Sequence, residues 1–483
     1  MKNLHKFLRN IIVLTLAASF IPAGQAVARI EHNIDMDNEI IMEVIPSSQE
    51  QGLFELTAEG AVVIEQNTGK VLFGKQQNQR LYPASTTKIL TALLAVEYGD
   101  LDDIITVGEE VQMLAWDGSK AGLEEGEVIT LQNLVYGLLI NSGNDAANTI
   151  AVHIARKVSG ESLDTQEALD YFGGLMNQRA REAGAKNSHF VNPHGYHDPL
   201  HYSTPYDMAL IGRAAMENEL FCEAISVTFV KTAFWTSKLP RFWVSKNKLI
   251  NEKFSECYYE NAVGSKTGYT AKAGHCLVSF ASKNGQNLVT AVMKTESGEQ
   301  WAETRGLFEY GFDNYKYVNI LKQGTIVDRL MVDNCTSDDS GSLAVEISAE
   351  DWGDVLQKKD IGQIKQDIVW DPSLLSENST DDMNLLEAPI NKGQKVGELR
   401  LTLHGRELIR VPVTAVRSVK RKKAAVEILT PDQTAVKESP AKFNWSPLVT
   451  AVIAVIIIMW VTILLIQRKK QRRRYFSPRR YWW

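Results

Sequence analysis

The sequence predicts an α/β domain in which helices pack on an antiparallel sheet, followed by a small all-β domain and a C-terminal transmembrane helix. The first domain is predicted from mixed strand and helix patterns over residues 56–315, and the second from the loss of helical periodicity over residues 317–418. The transmembrane helix is predicted from an uncharged stretch, residues 445–466. The part of the chain between the predicted signal peptide and the predicted linker has about 390 residues, which suit two domains better than one.

The N-terminus has the organisation of a secretory signal peptide, which we predict over residues 1–28. Three basic residues precede an apolar run from Ile11 to Phe20, and Ala26-Val27-Ala28 supplies the small residues of a cleavage site. The domains that follow are therefore expected outside the cytoplasm.

The strands of the α/β domain are predicted near both of its ends. Gly60 to Lys75 is typical of a hairpin that turns at residues 67–69, and Gly274 to Thr295 of two strands joined at residues 284–285. Helices are predicted between them, at residues 83–98, 131–140, 145–158 and 164–183. We expect one sheet that draws strands from both ends of the segment.

The second domain is predicted from short apolar runs separated by turns. Ala388 to Val416 alternates in this way, as small β domains do. The acidic stretches at 333–342 and 375–383 indicate long loops, and residues 419–444 a linker to the membrane.

The C-terminus predicts both the anchor and its orientation. The 22 uncharged residues of 445–466 can cross about 30 Å of hydrocarbon as a helix. The tail at 467–483 has eight cations and no acid, which places it in the cytoplasm by the positive-inside rule. We therefore expect a single-pass cell-membrane protein whose folded domains are extracellular.

The charge of the exported part argues against a nucleic-acid partner. Subtracting the eight cations of the tail and the three of the signal from the net charge of −6 leaves about −17 for the rest. So acidic a surface repels phosphate backbones. The basic tail itself is best interpreted as the flank of a stop-transfer segment.

Ser85 and Lys88 lie in the first turn of the predicted helix over residues 83–98, whose remainder is apolar nearly all round. Such a helix lies inside a domain, and residues three apart share one face. A serine hydroxyl is a poor nucleophile unless a base takes its proton, which Lys88 can do when it is neutral. A free lysine has a pKa of about 10.4, so this role requires burial and a second cation nearby. Two further Ser-x-x-Lys pairs, beginning at Ser245 and Ser439, open no recognisable buried helix.

Two other motifs could complete such a site. Ser142-x-Asn144 precedes a predicted helix and offers a hydroxyl and an amide, and Lys266-Thr267-Gly268 precedes an apolar strand and offers a cation. Taken one at a time, these residues have simpler interpretations, which are a helix cap for Ser142 or Asn144 and a solvated lysine for Lys266. Ser-x-Asn occurs elsewhere in the chain, whereas Lys-Thr-Gly occurs once. The three motifs are informative only together.

In this chain order, the three motifs resemble the set shared by serine β-lactamases and penicillin-binding proteins. The phrases "PASTTKILTALLA", "NSGNDAAN", "NPHGYHDPLHYSTPYDMALIGRA" and "GSKTGYT" narrow the resemblance to low-molecular-mass penicillin-binding proteins that are serine-type D-alanyl-D-alanine carboxypeptidases, peptidase family S11. The likeness is strong over residues 56–315, and 317–418 resembles the C-terminal domain of that family. It implies a transpeptidase-like catalytic domain over residues 50–315.

The resemblance implies an enzyme that removes the terminal D-alanine from peptidoglycan stem pentapeptides, needs no cofactor and is acylated by penicillin and other β-lactams. Ser85 would be acylated by the carbonyl of the penultimate D-alanine, and Lys88 would accept its proton. Ser142 would relay a proton to the leaving amine.

The resemblance also implies the substrate-binding residues. Asn144 would hold an amide of the stem peptide, and Lys266 and Thr267 would bind the terminal carboxylate, with Gly268 in the same motif. The backbone N–H of Tyr269, together with that of Ser85, would form the oxyanion hole.

Two departures from the family pattern stand out. The family attaches to membranes through an amphipathic C-terminal helix, whereas this chain carries an uncharged segment that should cross. Residues 228–262 are more divergent than their surroundings, and the phrase "SKNKLI" within them fits the Asn-Lys-Leu-Leu phrase of the family only loosely.

Two alternative functions stay open. A β-lactamase would need an added carboxylate base, and no Glu-x-x-x-Asn segment between Asn144 and Lys266 lies in a setting that suggests one. A non-catalytic protein that senses penicillin or binds the wall would keep the fold, although every catalytic position is intact.

A metal site is the remaining alternative. His194, His197 and His201, with Asp198, have near-ligand spacing for zinc. The Pro and Gly residues around them indicate a loop, and the family phrase accounts for two of the histidines, so we expect no metal. Four scattered cysteines are too few for a disulfide scaffold, and their spacing does not determine a pairing.

Overall fold

The computed structural model describes residues 55–232, 240–380 and 383–423. The predicted signal peptide, the transmembrane helix, the basic tail and most of the predicted linker lie outside this part of the chain. Among the helices that are described, none is long and apolar enough to cross a membrane. The predicted α/β and β domains can both be compared with the structure.

The first domain is built on a five-stranded antiparallel sheet in the order β2-β1-β9-β8-β7. The strands of this domain are β1 (Gly60–Glu65), β2 (Val71–Lys75), β3 (Ile104–Thr106), β4 (Val128–Thr130), β5 (Phe229–Thr232), β6 (Arg241–Val244), β7 (Ala262–Thr270), β8 (Gly274–Lys283) and β9 (Gln286–Thr295). Outside the five-stranded sheet, β3 pairs with β4 and β5 pairs with β6 in two short ribbons. Both predicted hairpins are present, and the sheet draws strands from both ends of the segment. The predicted α/β class is confirmed.

Helices cover both faces of this sheet. They are α1 (Lys88–Tyr98), α2 (Leu131–Leu139), α3 (Asn144–Ser159), α4 (Thr165–Glu182), α5 (Pro205–Ala215), α6 (Glu219–Ser226) and α7 (Glu299–Asn314). The first four match predicted helices, whereas α5, α6 and α7 were not predicted from the sequence. In α1 every residue from Lys88 to Val96 is buried, as the apolar pattern predicts.

The two faces of the sheet carry separate hydrophobic clusters. Along β1, Val62 and Ile64 point into the cluster around α1, and Ala61 and Val63 into the cluster around α7. This is the alternation expected of a strand buried on both sides. The sheet and α1 therefore form a rigid support for the residues at the start of α1.

The start of α1 differs from the prediction in one respect. The helix begins at Lys88, and Ser85 lies in a preceding 3-10 turn, Ala84–Thr87. Ala84 has a φ of 49°, a left-handed conformation that a non-glycine residue adopts only at some cost. The chain thus turns sharply just before Ser85, so that Ser85 ends one turn before the regular helix rather than inside it.

The second domain is a six-stranded sheet in the order β14-β16-β17-β12-β11-β15, together with a ribbon of β10 and β13. Its strands are β10 (Tyr315–Leu321), β11 (Ile326–Asp333), β12 (Ser342–Ile347), β13 (Trp352–Gln357), β14 (Lys365–Trp370), β15 (Leu385–Glu387), β16 (Lys395–Leu403) and β17 (Arg406–Ala415). All pairings are antiparallel except that of β11 with β15. The predicted all-β domain is confirmed.

The β10–β13 ribbon connects the two domains. Tyr315 and Val355 belong to the hydrophobic cluster around α7 rather than to the core of the β domain. Beside them, Lys70 donates to the carboxylate of Asp354 at 3.0 Å and to the carbonyl of Val355 at 2.8 Å. The α/β domain thus shares an apolar contact with the domain that follows it.

Candidate active site

Ser85 and Lys88 face each other at the start of α1. Lys88 Nζ lies 2.9 Å from Ser85 Oγ, 2.8 Å from Asn144 Oδ1 and 2.7 Å from the carbonyl oxygen of His194. A neutral amine has two N–H donors and one lone pair. The side-chain oxygen of Asn144 and the carbonyl oxygen of His194 are both acceptors, so they take the two N–H donors of the amine. The lone pair of the amine is then left for the hydroxyl proton of Ser85.

The surroundings of Lys88 favour that neutral form. The side chain is fully buried, and burial is the largest of the effects that hold its pKa well below the usual value. The positive charges of Lys266 and Lys246 act in the same direction, and the carboxylate of Asp145 acts against them. Lys88 therefore has the position and the protonation state of a base for Ser85.

Ser142 and Lys266 form a second pair on the opposite wall. Lys266 Nζ donates to Ser142 Oγ at 2.9 Å and to the carbonyl of Thr267 at 2.8 Å. Both residues are buried, and burial, followed by the charge of Lys246, lowers the pKa of Lys266 to about 7. Ser142 has a φ of 60°, which makes it the second strained residue of the site.

Gly268 brings strand β7 against the turn that carries Ser85. A Cβ at this position would lie 2.8 Å from the carbonyl oxygen of Pro83 and 3.0 Å from the backbone nitrogen of Ser85. Only glycine permits so close an approach. The next residue, Tyr269, is on the free edge of the sheet, so its backbone is available to a bound peptide.

The two pairs open onto a cavity of about 670 Å³, which we call the cleft. Six of the eight predicted site residues line it, namely Ser85, Ser142, Asn144, Thr267, Gly268 and Tyr269. Lys88 and Lys266 lie directly behind them through the contacts described above. The structure therefore brings together all eight residues, seven from the three motifs and Tyr269 from the family resemblance.

Two of the three histidines of the zinc alternative, His194 and His201, form hydrogen bonds with protein groups. His201 is buried with both ring nitrogens in hydrogen-bonding contact with protein groups, Nε2 with Thr87 Oγ1 at 2.9 Å and Nδ1 with the backbone nitrogen of Val191 at 3.2 Å. His194 Nδ1 accepts from the backbone nitrogen of Tyr196 at 3.1 Å. In the described part of the chain no group of three His, Cys, Asp or Glu side chains is arranged to hold a metal ion.

Sequence comparison assigns both domains. The model of peptidase family S11, D-alanyl-D-alanine carboxypeptidase, matches residues 45–297, and that of the C-terminal domain of penicillin-binding protein 5 matches residues 315–421. The first match covers more than half of the chain. This chain belongs to the S11 family of D-alanyl-D-alanine carboxypeptidases.

Named relatives of this S11 protein span most of its length. It is 31% identical to the D-alanyl-D-alanine carboxypeptidase DacF of Bacillus subtilis (strain 168), over 75% of this chain and 86% of the relative. It is 28% identical to DacA of Escherichia coli (strain K12), over 85% of this chain and 92% of the relative. The structure of penicillin-binding protein 5 from Haemophilus influenzae matches with a TM-score of 0.57 and 27% identity, covering 76% of this chain and 99% of that one.

Three residues of the S11 site were missed by sequence reasoning. Lys246 lines the cleft, 3.4 Å from Ser119 Oγ, and its charge depresses the pKa of both buried lysines. The phrase "SKNKLI", in the divergent segment 228–262, is the part of the sequence that could have indicated Lys246. His194 acts through its backbone carbonyl, which no side-chain pattern reveals.

Asp145 is the third missed residue, and it fixes one wall of the cleft. Its buried carboxylate accepts from the backbone nitrogens of Ala121, Gly122 and Leu123 at 2.7, 2.8 and 3.0 Å. The signal was its position directly after the Ser-x-Asn motif. A carboxylate that receives three backbone donors holds the loop in one conformation.

Proposed function

We propose that this protein is a serine D-Ala-D-Ala carboxypeptidase that removes the terminal D-alanine from peptidoglycan stem pentapeptides. The observation that carries the proposal is the contact between Ser85 Oγ and the buried amine of Lys88. Family membership supports it independently, because the matching relatives are named for this activity.

The reaction begins with acylation of Ser85. Its hydroxyl oxygen attacks the carbonyl carbon of the penultimate D-alanine while Lys88 Nζ accepts the hydroxyl proton. The negative charge that develops on the carbonyl oxygen is stabilised by the backbone N–H groups of Ser85 and Tyr269. These two groups are near each other because Gly268 lets the strand approach the turn.

The second part of the step is release of D-alanine. Ser142 passes its hydroxyl proton to the departing amine and takes in return the proton that Lys88 accepted from Ser85, so that Lys88 is neutral again. Lys266, which donates to Ser142 Oγ, orients this hydroxyl and keeps its own charge. The carboxylate of the leaving D-alanine lies against Thr267 and Lys246, which line the cleft, with the ammonium group of Lys266 directly behind them. Water then attacks the ester carbonyl carbon while the neutral Lys88 takes a proton from the water. The Ser85 oxygen leaves with that proton, which frees the serine and releases the shortened stem peptide as a carboxylic acid.

Asn144 has a broader role than sequence predicts. Its side-chain oxygen accepts from Lys88 Nζ, so it orients the base, while its amide nitrogen can donate to the stem peptide. This single side chain therefore couples substrate binding to the position of Lys88.

The two alternative functions receive no support from these observations. Among the described residues that line the cleft, the one carboxylate is Asp117, and it accepts a hydrogen bond from the hydroxyl of Tyr196, so the extra base of a β-lactamase has no candidate there. A non-catalytic protein has no need of a buried amine directed at a serine.

Incubation with a pentapeptide ending in D-Ala-D-Ala tests the proposal. Free D-alanine should appear with the wild-type protein and not with Ser85→Ala. After penicillin treatment, mass spectrometry should find the adduct on the peptide that contains Ser85, and an adduct at Ser245 or Ser439 would overturn the assignment of the nucleophile.

We further propose that the enzyme is exported and anchored by the segment 445–466, with residues 467–483 in the cytoplasm. The support is the uncharged length of the segment and the cations that follow it. Alkaline carbonate should leave the full-length protein in the membrane, and protease added to intact protoplasts should remove the catalytic domain but not the tail. Release by carbonate would instead indicate peripheral attachment.

A further inference from the structure

The charges of the cleft are distributed unevenly. Lys246 and Lys272 line it, and Lys88 and Lys266 lie behind its wall. Asp117 is the one acidic side chain among the described residues that line the cleft. No step of the proposed reaction involves Asp117.

Asp117 is held in place at the mouth of the cleft. Its Oδ1 accepts from the hydroxyl of Tyr196 at 3.0 Å, a contact that joins the loop 115–119 to the loop that carries His194. The first loop is itself fixed, because Asn144 donates its backbone N–H to the carbonyl of Ser119 at 2.8 Å. Asp117 Oδ2 has no hydrogen-bond partner among the described residues and is open to a ligand.

The neighbouring side chains suit a cation on an aliphatic stem. Trp116 is 91% exposed beside Asp117, and Tyr196 is 37% exposed. An indole this exposed is accessible to a ligand that binds at Asp117. Aromatic faces next to a carboxylate are a favourable setting for an ammonium group.

The chemistry of the reaction tells which part of the substrate reaches Asp117. The leaving group is D-alanine, whose carboxylate belongs with the lysines and would be repelled by Asp117. D-alanine has no side-chain cation, so only the part of the peptide that acylates Ser85 can present one to this carboxylate. Peptidoglycan stem peptides carry such a group where a diamino acid precedes the two D-alanines.

We propose that Asp117, with Tyr196 and Trp116, forms a specificity site for a side-chain ammonium of the acyl-donor peptide. This inference rests on the proposed carboxypeptidase function and adds a substrate preference to it. Asp117 supplies the charge, Tyr196 fixes the carboxylate, and Trp116 covers the aliphatic stem of the side chain.

The test compares two tripeptides with the full-length enzyme. Both are Nα-acetyl-L-lysyl-D-alanyl-D-alanine, one with a free ε-amine and one with that amine acetylated. We expect kcat/KM for D-alanine release to be about fivefold higher for the free amine, in the range of a partly exposed ion pair. The preference should weaken as NaCl is raised from 0.05 to 0.5 M, because salt screens exposed charges.

Asp117→Asn should reduce the ratio of the two kcat/KM values to about one, and Tyr196→Phe should reduce it partly. Asp102→Asn, which removes an exposed carboxylate outside the cleft, serves as the matched control and should keep the wild-type ratio. Thermal unfolding of each variant verifies that it is folded.

Equal rates for the two peptides with the wild-type enzyme, or an unchanged ratio in folded Asp117→Asn, would overturn the specificity site while leaving the carboxypeptidase function intact. Failure to release D-alanine from either peptide would overturn the carboxypeptidase function, and the specificity site with it.

Discussion

Two lysines are buried behind the wall of the cleft, and they need opposite protonation states. Lys88 must be neutral to accept the proton of Ser85, whereas Lys266 binds a carboxylate best when it is charged. Burial lowers the pKa of both, but Lys88 also faces the charge of Lys266, and the pKa of Lys266 remains about 7. One desolvated cation thus helps to keep its neighbour neutral.

Lys88→Ala should slow acylation by penicillin by about 10²–10⁴-fold, the usual contribution of a general base. The fold should be retained, because the side chain contributes hydrogen bonds to the site rather than apolar packing to the core. Stopped-time labelling with penicillin measures the rate, and circular dichroism verifies the fold. A rate within threefold of wild type would show that another group is the base.

Lys266→Met should make the protein more stable at pH 6 while abolishing its activity. With a native pKa of about 7 and an unfolded pKa of about 10.4, burial of this lysine costs on the order of 4 kcal/mol below pH 7. Part of the gain is lost because Ser142 Oγ and the carbonyl of Thr267 lose their donor.

The sign of the pH dependence of stability tests the predicted cost of burying Lys266. Between about pH 7 and pH 10 the native lysine is neutral and the unfolded one is charged, so wild-type stability rises with pH and the advantage of Lys266→Met shrinks. Urea unfolding at pH 6, 8 and 10 measures it. Lys272→Met, at an exposed position in the same cleft, controls for the change in net charge. An advantage that does not vary with pH would contradict the proposed cost.

Among the elements of the fold, strand β7 and the turn at residues 84–87 depend on each other. The strand supplies Lys266, Thr267 and Tyr269, the turn supplies Ser85, and Gly268 sets the distance between them. Because the strand lies at the edge of a sheet that is buried on both faces, the turn has little freedom to move away.

Gly268→Ala should therefore separate the two halves of the oxyanion hole. The added Cβ would lie within 3.0 Å of backbone atoms of Pro83 and Ser85, which cannot rotate away as a side chain could. We expect a loss of about 1–3 kcal/mol of stability and a fall in acylation rate of at least tenfold. Penicillin labelling and thermal unfolding measure the two effects.

Gly306→Ala is the matched control for that change. Gly306 lies within helix α7, and a Cβ there would meet no atom within 4 Å. The same substitution should stabilise the protein by up to about 1 kcal/mol, because alanine favours a helix, and should leave acylation unchanged. Similar losses at both positions would refute the steric explanation.

At the scale of the whole molecule, the catalytic domain uses a part of the β domain to complete its core. Tyr315 and Val355 of the β10–β13 ribbon pack with Leu307 and Phe308 of α7, whereas Leu343 and Val413 belong to the separate core of the β domain. The stability of the catalytic domain should therefore depend on the ribbon rather than on the rest of the β domain.

Val355→Ala should lower the temperature at which penicillin binding is lost. Removing two buried methyl groups costs about 1–2 kcal/mol. Leu343→Ala, in the separate core, should destabilise the β domain by about 2–5 kcal/mol and leave the loss of penicillin binding near its wild-type temperature. Calorimetry combined with labelling distinguishes the two domains. Equal shifts from both variants would show that the domains unfold as one unit.

Much of the active site can be predicted from short segments of the sequence. Ser85 and Lys88 are neighbours because they are three residues apart at the start of a helix whose apolar pattern requires burial. The residues of Lys-Thr-Gly share a strand for the same local reason. The chain order of the motifs pointed to a family, and alternating apolar residues indicated both domains.

The tertiary structure alone decided how these motifs meet. The carbonyl of His194 and the charge of Lys246 act on the buried lysines across long sequence separations. Every residue has a backbone carbonyl, so the residue type at position 194 does not predict this contact. Helices α5, α6 and α7 and the left-handed residues Ala84 and Ser142 were likewise set by packing, which overrides local preference. Local periodicity determines which face of an element is buried, but the pKa of Lys88 depends on what the rest of the chain places against that face.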